Sequence, residues 1–231
     1  MKKLIFFTGA GISQESGIKT FRDADGLWEG YNIHEVASID AWRKNPGLVL
    51  DFYNIRRRQL LEVKPNLAHE LIAELQNYYD VTVITQNVDD LHERAGSKKV
   101  MHLHGELLKS RSIQNEYKFY PCFKDINIGD RDESGHQLRP HIVWFGEAVP
   151  MIEPAIMQCS STDLFVVVGT SLQVYPAANV IDYVDSEIPF FYIDPKPALV
   201  SSLSRFRTCQ IISEKATTGM QKLVEIILPK L

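Results

Sequence analysis

Glycine-rich turns, an amide–acid pair and two histidines are the residues through which this chain could do chemistry. Gly9-Ala10-Gly11 lets the backbone turn sharply and approach a ligand with no Cβ in the way. The stretch Ser13 to Ser16 is expected to open a helix whose free N–H groups suit a pyrophosphate, with a third glycine at Gly17. Gly169-Thr170-Ser171 offers hydroxyls and unhindered N–H groups to phosphate or ribose oxygens. Gln86-Asn87-Val88-Asp89 sets an amide and a carboxylate two residues apart, able to fix a water, a ribose hydroxyl or a carboxamide; Asn87 alone reads equally as a turn-former. His102 and His104 are both candidates for a general base near neutral pH. On a strand they share a face, so the residues leave that choice open. Phe21-Arg22-Asp23, with Gly26-Leu27-Trp28 behind it, reads as a flap over the ligand or as a plain surface loop. Tyr53 and Arg56, three apart on an expected helix, turn a phenol and a guanidinium to one side. The alternative there is a solvated Arg56-Arg57-Arg58 run beside a half-buried tyrosine.

The elements that must position these residues follow from hydrophobic pattern and turn chemistry. Short apolar or β-branched runs predict strands at Leu4–Phe7, Val81–Thr85, Val100–Leu103, His141–Glu147, Leu164–Val168, Phe190–Ile193 and Cys209–Ile212. Asn45-Pro46 is a helix start for 47–62, and Pro65-Asn66 starts another with Leu67, Leu71, Ile72 and Leu75 on one face. A helix is expected over Pro176–Tyr183. A last one is expected over Gly219–Leu228, with Thr218-x-x-Gln221 as a capping box. Strands alternating with helices predict an α/β fold: a Rossmann-like doubly wound parallel sheet with a small inserted helical or irregular domain. The core is expected over about 1–25, 66–108 and 138–231, with insertions over about 26–65 and 109–137. Lys109 to Gln137 is polar and irregular apart from Tyr117, Phe119, Tyr120 and Phe123. A nicotinamide hydride dehydrogenase is disfavoured, because Gly17 comes late and no second strand ends in an acid about 20 residues on.

Composition narrows the class further. At 231 residues the chain can bury one substantial core. A net charge of −4, with no basic block beyond Arg56–Arg58, gives no reason to expect nucleic-acid binding. No run approaches membrane-spanning length, and the apolar run after Lys2-Lys3 is too short for a signal peptide. Cys122, Cys159 and Cys209 are too scattered for a disulfide framework or a metal cluster. A cytoplasmic, monomeric protein is expected.

Taken in order over about residues 4–216, Gly9-Ala10-Gly11, Gln86-Asn87-x-Asp89, His104-Gly105-Glu106, Phe145-Gly146-Glu147 and Gly169-Thr170-Ser171 resemble the motifs of the sirtuins, the NAD-consuming protein deacylases. The resemblance implies NAD as cofactor and acylated-lysine proteins or peptides as partners, with nicotinamide, O-acyl-ADP-ribose and free lysine as products. It picks His104 over His102 as the base that deprotonates a ribose hydroxyl, and it makes Asn87 and Asp89 the residues that orient ribose and carboxamide. Phe21 and Arg22 would cover the cofactor. Gly9, Ala10, Gly11, Ser13 and Gly17 would form further cofactor contacts, as would Trp28, Gln86, Gly169, Thr170 and Ser171. Lys215-Ala216 resembles a loop that contacts adenine, which puts Ala216 in the same set. Val143, Phe145, Gly146 and Glu147 would pair with the substrate peptide as an added strand. Tyr53-x-x-Arg56 resembles the signature of the class that removes succinyl, malonyl and glutaryl groups, whose distal carboxylate needs a paired guanidinium.

Two departures stand out. Family members usually hold zinc through two Cys-x-x-Cys pairs, but here Ser112 stands near the first cysteine position and Cys122 is alone in that region. One thiolate makes no tetrahedral site, so zinc is expected to be absent and the module to be held by its aromatic residues. Asp194, also a cofactor contact by resemblance, stands where asparagine is common. The rival readings are a weakened NAD- or ADP-ribose-binding relative and a mono-ADP-ribosyltransferase.

Overall fold

Alternate residues of the apolar strands face opposite ways, and both sets are buried, which is what a sheet covered on both sides requires. The computed structural model describes residues 1–19, 27–28, 31–115, 117–198 and 201–228, with backbone alone at 27 and 28. In chain order the strands are β1 Lys3–Thr8, β2 Leu27–Trp28, β3 Tyr31–Asn32, β4 Asp80–Thr85, β5 Val100–His102, β6 Gly105–Ser112, β7 Phe119–Pro121, β8 Leu138–Ile142, β9 Leu164–Val168, β10 Phe190–Ile193 and β11 Cys209–Ile212. The helices are α1 Ile33–Val36, α2 Ile39–Lys44, α3 Pro46–Glu62, α4 Leu67–Glu74, α5 Leu91–Arg94, α6 Ile152–Cys159 and α7 Ala216–Ile227.

Six strands form one parallel sheet in the order β11-β10-β9-β1-β4-β5. Leu4, Phe6, Val83 and Val166 pack with Ala68 and Ile72 of α4 and Met220 and Leu223 of α7. Ile5, Phe7, Ile84 and Val167 pack the other way, with Ala155 and Cys159 of α6 and with the 3-10 segment Ala177–Tyr183. Each such side chain contributes about 1.5–3 kcal/mol on full burial, so this double-sided core dominates the fold. The chain leaves β1 toward β4 on one side and pairs it with β9 on the other. Such a reversal opens a crevice at the carboxyl ends of the strands.

A second sheet, antiparallel in the order β7-β6-β8, projects from the first. This differs from the irregular insertion and from the strand expected at His141–Glu147. That strand is β8, Leu138–Ile142, and it pairs with β6 rather than entering the large sheet. Pro140 fits there because β8 is an edge strand, where a missing N–H costs no ladder bond. Gly105 makes the turn into β6 at φ +81°, and a Cβ on it would lie 2.1 Å from the His141 carbonyl oxygen. The module is not held by the aromatic residues, since Tyr117, Phe119 and Phe123 are exposed. Leu50, Cys122 and Ile126 form its buried contact with α3. Asn54 of α3 donates to Ile126 O and accepts from Ile126 N, both at 2.9 Å.

Helix ends show where local signals hold. Asn45 caps α3 by accepting from Leu48 N, and Asn66 and His69 form a capping box on α4. The helix expected from Ser13 is instead two 3-10 turns, Ala10–Ile12 and Gln14–Ser16, stopped by Gly17 at φ +98°. The segment at Ala177–Tyr183 is likewise 3-10 rather than α. The last helix begins at Ala216, so Thr218 lies inside it; Glu15 accepts from Thr217 N and Oγ1 at its start. Among the described residues no helix is long and apolar enough to cross a membrane.

Candidate active site

The carboxyl ends of β1, β4, β9 and β10 border a cleft of about 520 Å³. Gly9 N donates to Val168 O at 3.0 Å and Gly11 N to Gly169 O at 2.8 Å. A Cβ on Gly9 would lie 2.6 Å from Thr170 Cβ, and one on Gly11 2.7 Å from Gly169 Cα. The missing Cβ atoms at these glycines let the β1 and β9 loops meet, and Gly9 and Gly11 both border the cleft. Gln86 ties in the β4 loop by donating to Thr170 Oγ1 at 2.9 Å. Asp194 is buried at the end of β10, where its carboxylate accepts from Lys196 N at 2.8 Å. The cleft's size, its floor of small residues and an acid at a strand end fit NAD.

Behind that floor lies a buried polar network. Ser13 Oγ accepts from Asn87 Nδ2 at 3.1 Å and donates to Asp89 Oδ2 at 3.0 Å. Asp89 also accepts from Leu91 N at 3.2 Å. Burial raises the Asp89 pKa, and the Ser13 and Leu91 bonds act against that rise. Thr8 Oγ1 donates to Thr85 Oγ1 at 2.8 Å, which in turn accepts from Asn87 N at 3.0 Å. His92 Nε2 lies 3.0 Å from Thr8 Oγ1, and its ring meets His69 edge-on with centroids 4.9 Å apart. Burial holds both imidazoles neutral, His69 with its pKa down at about 4 and His92 well below the ordinary value. Sequence reasoning missed this pair, since two histidines 23 positions apart on different helices carry no joint signal.

The two candidate bases meet different partners. His104 lines the cleft and its Nδ1 lies 3.0 Å from Gln86 O. A carbonyl only accepts, so Nδ1 carries the hydrogen and Nε2 is left with its lone pair. Burial lowers the His104 pKa, with the Gln86 bond acting the other way, which keeps that lone pair available. His102 sits with Nδ1 2.9 Å from Asn87 O and Nε2 2.7 Å from Glu93 Oε1. Both of its nitrogens face acceptors, so it has no base to offer.

Tyr53 and Arg56 reach the cleft from α3. The Tyr53 hydroxyl accepts from Trp144 Nε1 at 3.1 Å, and burial raises its pKa, so the phenol keeps its own proton to donate. Val143, Phe145, Gly146 and Glu147 also border the cleft, and part of the backbone over residues 143–147 is already paired within the chain. Val143 N donates to His104 O and Phe145 N to Ala37 O, while Phe145 O accepts from Ile39 N. Glu147 is committed as well: it accepts from Arg139 at 2.6 and 3.0 Å and from Trp144 N at 2.9 Å. The Arg139 guanidinium in turn lies over the Trp144 ring, 3.3 Å from its centroid.

Of the other expected site residues, Ala10, Gln86, Thr170 and Ser171 border the cleft. Ser13 lies behind it, Gly17 ends a turn outside it, and Ala216 is buried while its neighbour Lys215 faces the cleft. Phe21 and Arg22 fall outside the described residues, as does the Trp28 side chain. Cys122 Sγ lies 3.4 Å from Lys124 O, and Ser112 Oγ accepts from Gln114 N. Glu93, His102 and Glu106 come together, but His102 bonds to Glu93 and Lys109 to Glu106, a network closed on itself.

Residues 9–176 match the Sir2 family. A Helicobacter pylori protein named NAD-dependent protein deacylase is 54% identical over 231 residues, covering 100% of this chain and 98% of that protein. A crystal structure of a Sir2 homologue in complex with NAD superimposes with a TM-score of 0.86 at 37% identity, covering 97% of this chain and 89% of the other. A Sir2 protein bound to acetylated peptide gives a TM-score of 0.79 at 29% identity, covering 96% and 92%.

Proposed function

The chain belongs to the Sir2 family and is an NAD-dependent protein deacylase, and we propose that the acyl groups it removes from lysine include acidic ones such as succinyl and malonyl. NAD supplies a nicotinamide–ribose bond whose cleavage turns the ribose into the acyl acceptor. His104 takes a proton from a ribose hydroxyl on its free Nε2. The observation that carries this role is the Nδ1 bond to Gln86 O, which fixes the tautomer and aims the other nitrogen. Asn87 and Asp89, locked together through Ser13, orient the ribose and the carboxamide. Gly9, Gly11 and Gly169 to Ser171 give the pyrophosphate an unobstructed surface, and Asp194 accepts from ribose hydroxyls.

The acidic-acyl reading rests on the Tyr53 and Arg56 side chains bordering the same cleft as His104. A carboxylate entering an apolar channel is costly unless it is paired, and a guanidinium beside a phenolic donor pairs it. A charge-assisted bond is worth about 1.5–3 kcal/mol, or roughly ten- to a hundredfold in kcat/KM. The test is Arg56→Met assayed on acetyl- and succinyl-lysine forms of one peptide. Desuccinylation should fall by that factor and deacetylation far less, whereas equal losses would mean that Arg56 only supports α3.

A further inference from the structure

Three successive carbonyls in the loop after β4 are each held by a donor from the segment 102–107. Gln86 O accepts from His104 Nδ1 at 3.0 Å, Asn87 O from His102 Nδ1 at 2.9 Å, and Val88 O from Leu107 N at 2.8 Å. The middle donor differs in kind from its neighbours. The Leu107 amide cannot titrate, and His104 keeps its Nδ1 hydrogen when neutral. The second nitrogen of His102 lies 2.7 Å from the Glu93 carboxylate. A carbonyl and a carboxylate only accept, so the ring satisfies both only as an imidazolium. Loss of one proton would set a lone pair against either Asn87 O or Glu93.

We propose that His102 is a positioning residue for the reaction: its doubly donating ring ties the loop that carries Asn87 and Asp89 to Glu93 on α5, and deprotonation releases the tie. The inference rests on the roles given to Asn87 and Asp89 above. The side chain of His102 is 7% exposed, so water offers little substitute for either partner. The titratable groups facing it are Glu93 on α5, Glu106 on β6, Asp89 in the loop and the buried, neutral His92. Glu106 is itself paired with Lys109 at 2.6 Å. Burial opposes the charge on His102, but the Glu93 bond and charge, the Asn87 carbonyl and Glu106 outweigh it and raise its pKa. The same charge helps to hold Asp89 ionised and His92 neutral. The tie is therefore closed below the raised His102 pKa and opens as pH climbs through it.

The test combines ring-nitrogen NMR of the ligand-free protein with the pH profile of kcat, in wild type and in Glu93→Gln. Glu93 is 39% exposed at its side chain, so this isosteric change leaves the fold in place. Both His102 nitrogens should be protonated at pH 7, and the Asn87 and Asp89 amide shifts should follow the His102 titration. Glu93→Gln should move that titration to lower pH and carry the alkaline limb of kcat down with it. His102→Gln should lower kcat about tenfold and remove the limb. An unprotonated ring nitrogen at pH 7 would overturn the proposal. So would a kcat limb that stays in place while the His102 titration moves, or loop amides that ignore that titration. Failure of the deacylase reading shows separately, as an absence of acyl transfer by wild type, and the NMR arm still decides the tie.

Discussion

The indole N–H of Trp144 donates to the hydroxyl of Tyr53 across 3.1 Å, joining the segment after β8 to the middle of α3. The bond fixes the direction of the phenol's own hydrogen, because the oxygen's accepting side is taken. Arg139, lying over the Trp144 ring and paired with Glu147, keeps the indole in place. Trp144→Phe should therefore weaken acidic-acyl recognition without touching the chemistry. We expect kcat/KM on succinyl-lysine peptide to fall about three- to tenfold, the worth of one neutral hydrogen bond, with acetyl-lysine changed less than twofold. Tyr53→Phe should match it. Steady-state assays on paired peptides check this, and equal losses on both would contradict it.

Deacylation should keep its rate well into mild acid. Burial depresses the His104 pKa, so the base form persists below the ordinary imidazole value of about 6.5. The acid limb of kcat should lie below that value and should vanish in His104→Ala. A limb centred above pH 7 would assign the proton transfer to another group.

Much of the large sheet was legible because strands buried on both faces are short, apolar and β-branched, as Val81–Thr85 and Leu164–Val168 are. The small sheet was not. Gly105–Ser112 reads Gly-Glu-Leu-Leu-Lys-Ser-Arg-Ser, whose polar half gives no strand period, and Phe119–Pro121 is three residues long. The turn after β1 held a second reason for its glycines that no local pattern shows: Gly9 and Gly11 border the cleft, and their missing side chains also make room for Gly169 and Thr170. Asn45 and Asn66 announced their helices because a cap acts within three residues. Glu15, which serves α7 from 202 positions away, left no local sign. On residue type and spacing His104 and His102 were alike and only the family resemblance chose between them; the carbonyls and the carboxylate they meet supply the physical difference.

Stability should fall in mild acid, and His69 should account for a measurable share. Its folded pKa of about 4 lies below the unfolded value of 6.5. Between those values the unfolded chain binds a proton that the folded chain refuses, so stability is full above about pH 6.5 and is lost as pH falls toward 4. The share is on the order of 3 kcal/mol. His69→Gln removes the titration and keeps a residue suited to the third position of a capping box. Urea midpoints measured from pH 7.5 to 4.5 should fall less steeply in this variant; an unchanged slope would clear His69.

Asn54 should be the main bolt between the small sheet and α3. Asn54→Ala strands the N–H and C=O of Ile126 and one bond of Arg57, a loss of about 2–4 kcal/mol. Hydrogen exchange at Ile126 should quicken more than exchange in β1. Excess chelator should leave the wild-type Tm unchanged, since the anchor is side-chain hydrogen bonding and the Leu50, Cys122 and Ile126 contact. A chelator-sensitive Tm, or zinc bound one to one, would contradict this account of the module.

The most direct measurement is mass spectrometry of all products from one incubation with NAD and a succinyl-lysine peptide, run beside His104→Ala. Wild type should yield nicotinamide, deacylated peptide and O-succinyl-ADP-ribose in equal amounts, and no nicotinamide when the peptide is omitted. His104→Ala should still bind NAD while losing about 100- to 10,000-fold in rate. Nicotinamide released without the acylated peptide, ADP-ribose found on protein, or a His104→Ala variant near wild-type rate would contradict the assignment.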